Sequence, residues 1–126
     1  MSDNDVKFKS LVVKESDREF SKNIGDDSFT VRIPLPYQKT TIIASTSRAL
    51  GGANTDSISV SEREYVRMII TLNHVVVKSP PWWDGAETCP NDEFLNEIWE
   101  FYLSSERKFF SDLKKNTKGK ILGKPE

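Results

Sequence analysis

The sequence predicts a small, mainly helical α+β domain: a short strand or strands near the N-terminus, then about three helices, the last long and rich in aromatics. Three observations carry this expectation. Phe29, Val31 and Ile33 alternate with Ser28, Thr30 and Arg32, the period of a half-buried strand. Tyr65, Met68, Ile69, Leu72 and Val76 recur at i, i+3, i+4, i+7 and i+11, the stripe of an amphipathic helix. After Pro90, acids at Asp92 and Glu93 open a segment carrying Phe94, Trp99, Phe101, Tyr102, Phe109 and Phe110. At 126 residues the chain suits one domain with a modest core.

Each element follows from local chemistry. Residues 1–27 are polar and mixed in charge, with one apolar knot at Leu11-Val12-Val13. They are expected as a flexible arm, or as a strand in need of a partner. The strand over 28–33 stops at Pro34 and Pro36, which cannot donate to a sheet ladder. From Tyr37 to Leu50 two readings compete. Thr40 to Ile43 is β-branched and favours a strand. The preceding prolines, the spacing of Ile43, Ser47 and Leu50, and the Gly51-Gly52 stop favour a helix, which is the expectation adopted. Gly51 to Ser57 reads as a loop.

Two overlapping capping boxes, Ser59 with Glu62 and Ser61 with Glu64, mark the start of the next helix. Pro80-Pro81 is expected to end it near Val77 or Lys78. The last helix is expected from Asn91 or Asp92 to Lys115. It carries too many apolar residues for one narrow stripe, so it is buried on two sides or presents one face to a partner. The globular domain is thus expected over 28–115, followed by a basic disordered tail over 116–126.

Composition excludes several function classes. The net charge of −1 makes no global case for nucleic-acid binding. A lone cysteine, Cys89, rules out an intramolecular disulfide framework and a multi-cysteine zinc module. Apolar runs fall short of a membrane span and the N-terminus lacks a secretory h-region, so a cytoplasmic protein is expected. The charge is nevertheless partitioned. Residues 1–27 hold seven acids and five bases, residues 28–113 eleven and eight, and residues 114–126 five lysines and one acid.

The catalytic inventory is thin. His74 is the sole histidine, and no acid stands three or four residues away to orient it. His74, Cys89, Asp84 and Glu87 are permitted metal ligands without a recognised spacing. No Gly-Lys-Ser/Thr loop occurs. No catalytic residue, metal or cofactor is therefore expected. Between Ser79 and Glu106 lie seven acids and no base, and Glu93, Glu97 and Glu100 share one helical face. Such a row reads as a solvated ridge or as a docking face for a basic partner. Pro80-Pro81-Trp82-Trp83 admits two readings as well: indoles closing the core, or an interface anchor. The terminal lysines, without aromatics or arginines, are a weak nucleic-acid footprint.

Taken in order, Phe29-Thr30-Val31-Arg32-Ile33-Pro34, a helix ending in Ala49-Leu50-Gly51-Gly52, and Glu64-Tyr65-Val66-Arg67-Met68-Ile69-Ile70-Thr71-Leu72-Asn73 form a pattern. Pro81-Trp82-Trp83 and Leu95-Asn96-Glu97-Ile98-Trp99-Glu100-Phe101-Tyr102 extend it. Over residues 28–115 it resembles small tailed-phage proteins of the tail-assembly-chaperone type. The resemblance implies a non-enzymatic assembly factor in the host cytoplasm, partnered by tape-measure and tail-tube proteins rather than by membrane or nucleic acid. Self-association stays open. Trp82, Trp83, Trp99, Phe101, Tyr102 and Phe109 are the expected apolar contacts, with Glu93, Glu97 and Glu100 as an acidic rim. A structural virion subunit, a nucleic-acid accessory protein using the lysine tail, and a small enzyme using His74 and Cys89 are the rival classes.

Overall fold

A computed structural model describes residues 15–51 and 58–121, with side chains described as far as Lys115. The Leu11-Val12-Val13 knot, the loop over 52–57 and the tail beyond Ile121 lie outside the described residues. In chain order the elements are β1 (Glu19–Ile24), β2 (Asp27–Arg32), α1 (Pro36–Ala49), α2 (Val60–Val75), β3 (Val76–Lys78) and α3 (Asp92–Ile121). The α+β, mainly helical class is as expected, with a three-stranded antiparallel sheet in the order β1-β2-β3.

The sheet is built around β2. Its pairing with β1 runs from Glu19 opposite Arg32 to Ile24 opposite Asp27, leaving Gly25-Asp26 as a two-residue turn. Gly25 sits at φ +64°, the conformation that the first position of a type II′ hairpin needs and glycine supplies without strain. Paired residues point to one side, so Phe20, Lys22 and Ile24 share a face with Phe29 and Val31. That face carries the core. On the other face Ser21 and Thr30 share a hydroxyl hydrogen bond at 2.7 Å, and Arg32 donates to Glu19 through Nε at 2.9 Å.

The first boundary therefore moves. The segment up to Asp27, expected as a flexible arm or as a strand in need of a partner, contains β1, paired along its whole length with β2. β1 has only Phe20 and Ile24 as apolar residues, so its order comes from pairing with β2 and not from its own pattern. At the other end the helix continues through Asn116 to Ile121, beyond the expected Lys115 limit.

Pro36 opens α1, where the missing N–H costs nothing, and the Leu35 N–H donates to Gln38 Oε1 at 2.8 Å. The buried residue is Ile42; Ile43, the expected apolar position, is 68% exposed. Helix α2 uses the first of its two capping boxes: Glu62 N–H donates to Ser59 Oγ at 3.1 Å and Ser59 N–H to Glu62 Oε1 at 3.3 Å. Met68, Leu72 and Val75 are buried along it. The helix stops at Val75, short of the expected Val77 or Lys78. Val76 to Lys78 turn extended as β3 and pair with β2 at Val31 and Thr30. β-branched valines fit a pleated edge at least as well as a last helical turn, and the unsatisfied edge of β2 decides between them.

Helix α3 is capped by Asn91, whose Oδ1 accepts from Phe94 N–H at 2.7 Å. Leu95, Ile98, Tyr102 and Ser105 form its buried stripe. Leu95, Ile98 and Tyr102 join Ile24, Phe29, Val31 and Ile33 of the hairpin and Met68, Leu72 and Val75 of α2 in one core. Because Phe29 is wholly buried, Phe29→Ala is expected to destabilise the protein by about 3–5 kcal/mol. Ser59→Ala removes a cap worth about 1 kcal/mol. Urea unfolding should show both as midpoint shifts in that ratio with an unchanged slope.

Candidate protein-binding groove

The residues expected to contact a partner fall into three places. The first is an aromatic cluster. Phe29 is met edge-on by Trp82, Trp83 and Phe94 at centroid distances of 6.0, 5.5 and 6.0 Å. Trp82 also packs edge-on against Trp83 and Phe94. A tight turn, with Trp83 N–H donating to Pro80 O at 3.0 Å, brings both indoles to the same ring. Trp82 keeps its polar edge outward, and Nε1 donates to Asp27 Oδ2 at 3.0 Å. The tryptophan pair thus closes the core, with Trp82 still 36% exposed.

The loop behind this cluster is held by a residue that sequence reasoning passed over. Asn73 accepts from Ala86 N–H through Oδ1 at 2.6 Å and donates to Glu87 Oε1 through Nδ2 at 3.1 Å. Gly85, at φ +111°, lies so close that a Cβ would stand 2.9 Å from Glu87 Oε1 and 3.2 Å from Asn73 Oδ1. An asparagine at the exposed end of an amphipathic stripe gives no hint of such a contact before the loop is folded back.

The second place is the side of α3 nearer α2. Trp99 stacks on Tyr102 at 5.6 Å, and the Arg67 guanidinium lies 5.6 Å from the Trp99 ring centroid. Tyr102 is only 3% exposed, so the structure puts this expected contact residue in the core. Its hydroxyl donates to Glu106 Oε2 at 2.9 Å. Further along, Phe109 is half-buried against Phe110, and Lys39 caps the Phe110 ring at 4.6 Å.

The third place is an open groove of ≈ 580 Å³ between β1 and α3. Ile24 and Phe101 supply its apolar lining, and Glu93, Glu97 and Glu100 form an acidic wall. Asn96, Ser104 and Arg107 continue the α3 side, and Lys22 stands on the strand side. The three glutamates are exposed, and none of them makes a salt bridge to a described residue. Of the nine residues expected at a partner surface, Phe101 and the three glutamates meet here. The strand wall, Lys22 and Ile24, was not foreseen, because β1 itself was not.

No protein-family model matches the chain, and no curated protein or solved structure matches it.

Elsewhere the surface offers less. His74 places Nδ1 2.9 Å from Ile70 O and lines a cleft of ≈ 60 Å³ with Arg32, Pro34, Gln38 and Val77. Cys89 donates to Asn91 O at 3.5 Å, and burial pushes its thiol up from the ordinary value. His74 and Cys89, the residues of the rival enzyme reading, thus bond to different backbone carbonyls. Among the described residues no group of three His, Cys, Asp or Glu side chains is placed to hold a metal ion. No described helix is long and apolar enough to cross a membrane.

The Tyr102 phenol responds to its surroundings. Burial, and then the charge and hydrogen bond of Glu106, push its pKa well above the ordinary tyrosine value. A group raised on folding stabilises the native state fully below its unfolded pKa, near 10, and loses that contribution as pH climbs toward the folded value. Stability is therefore expected to fall above about pH 10. Tyr102→Phe should flatten this fall in urea midpoints measured at rising pH. Tyr65, raised by its hydrogen bond to Asp92, leaves a smaller residual slope.

Proposed function

We propose that the chain is a non-enzymatic assembly chaperone of the tailed-phage type, acting in the host cytoplasm on tape-measure or tail-tube subunits. It holds a basic, amphipathic segment of its client in the groove between β1 and α3. The observation that carries this reading is the pairing of an apolar lining, Ile24 and Phe101, with an exposed acidic wall on a capped helix. A client that aggregates through apolar helical faces needs a surface that covers those faces while keeping the complex soluble. The lining answers the first need. The wall of Glu93, Glu97 and Glu100 answers the second, and it selects clients whose flanking residues are basic.

The tryptophans act indirectly in this scheme. Trp82 and Trp83 hold the hairpin against the start of α3, which sets the width of the groove. Their replacement weakens the fold along with the binding, and so does not isolate the surface. The glutamates, exposed and without salt-bridge partners among the described residues, do isolate it.

Co-expression tests the proposal. The chain should raise the soluble fraction of a long helical tape-measure protein from the same genome. Reversal of Glu93, Glu97 and Glu100 to lysine should lower affinity for the client by roughly tenfold or more, with far-ultraviolet circular dichroism unchanged. A client equally insoluble with and without the chain defeats the proposal. Retention of the chain in purified particles would assign it instead to the virion as a structural subunit.

A further inference from the structure

The acidic wall is one end of a longer stripe. Glu93, Glu97, Glu100, Ser104, Arg107, Ser111, Lys114 and Lys115 follow one another at helical spacing along a single face of α3. All eight are exposed. Their charge changes sign along the helix: three acids, a serine, then three bases around a second serine. None of the stripe's charged residues forms a salt bridge with a described residue.

We infer that this face pairs with the same face of a second copy, the two α3 helices running antiparallel about a twofold axis between Ser104 and Arg107. In that register Glu97 comes level with Lys114 of the other copy and Glu100 with its Ser111. Lys115 then falls level with Asn96, between Glu93 and Glu97. Each acid of one copy meets the basic end of the other, and the exchange is reciprocal, as an isologous interface requires. A parallel pair would set acid against acid and base against base. Ser104 and Ser111 are small enough to let the helix backbones approach. Phe101, half-buried beside the stripe in the groove, gains cover. The ion pairs set orientation and register, and the covered apolar lining supplies the affinity.

The inference does not depend on the identity of the client proposed above, and it is tested without one. It adds a consequence: client and second copy compete for the same groove, so the free chaperone is stored with its binding face closed. Sedimentation equilibrium of the full chain should show a dimer that weakens as salt is raised. The acid-end variant Glu93→Lys/Glu97→Lys/Glu100→Lys and the base-end variant Arg107→Glu/Lys114→Glu/Lys115→Glu should each dissociate at least tenfold more readily. Mixed together, the two variants should form a heterodimer, and combining all six changes in one chain should restore self-association. A wild-type chain that stays monomeric up to its solubility limit overturns the inference. So does a dimer that neither variant weakens, or one that the six-fold variant fails to restore.

Discussion

Phe29 is the point at which three separately encoded segments meet. It sits in the middle strand, fully buried, and is approached edge-on by Trp82 and Trp83 from one loop and by Phe94 from the first turn of α3. Edge-to-face packing of this kind adds roughly 0.5–1.5 kcal/mol per pair beyond burial. Its larger effect is geometric. Phe94 is tied to Asn91 through the cap, and its ring edge would stand 3.4 Å from a Cβ at Gly25. The hairpin turn and the start of α3 thus lie close against each other. Ile24 and Glu93 line the same groove for that reason, and the groove inherits its shape from the core beneath it.

The same hairpin carries a cost. Arg18, just before β1, is 6% exposed. Its backbone oxygen accepts from Ile33 N–H at 2.8 Å, extending the ladder by one residue, and its Nη1 donates to Ile33 O at 2.6 Å. Nε has no hydrogen-bond partner among the described residues. A buried guanidinium held by a carbonyl is less well compensated than one facing a carboxylate. Arg32, by contrast, lies on the other face, among Glu15 and Glu19. Strand register explains the difference: Arg18 and Ile33 fall on the core face, Glu19 and Arg32 on the opposite one.

How much of this was legible in the sequence depended on whether a residue's role is local. Alternation in Phe29, Val31 and Ile33 reports burial on one face of a strand, and a serine three residues before a glutamate reports a helix start; both are properties of a few neighbouring residues. β1 is different. Asn23, Lys22 and Ser21 have no strand preference, and the segment is extended because β2 offers an edge. β3 was concealed for the opposite reason, since Val76 also fits the apolar stripe of α2. The choice between Ile42 and Ile43 as the buried residue of α1 turns on how that helix is rotated against α2, which no spacing within α1 reveals. At the groove, the acidic row was visible as helical periodicity, while Lys22, Ile24 and the Asn73 clasp on the loop depend on contacts between distant segments.

The distribution of charge along α3 has two physical consequences that reinforce one another. Asp92 and Glu93 stand in the first turn, where the positive end of the helix macrodipole favours acids, and Lys114 and Lys115 lie in the C-terminal half. A helix about 45 Å long and segregated in this way is stabilised as a single helix. It also becomes complementary to an inverted copy of itself, because reversing its direction exchanges the signs of its ends. The three acids and three bases of the α3 stripe thus cancel by separation rather than by mixing. Under the proposed function and the inferred pairing, a client segment would enter the groove only by presenting positive charge to Glu93, Glu97 and Glu100 more effectively than the lysine end of another α3 does. On that proposal, specificity for basic amphipathic segments and resistance to indiscriminate apolar binding would follow from that one competition.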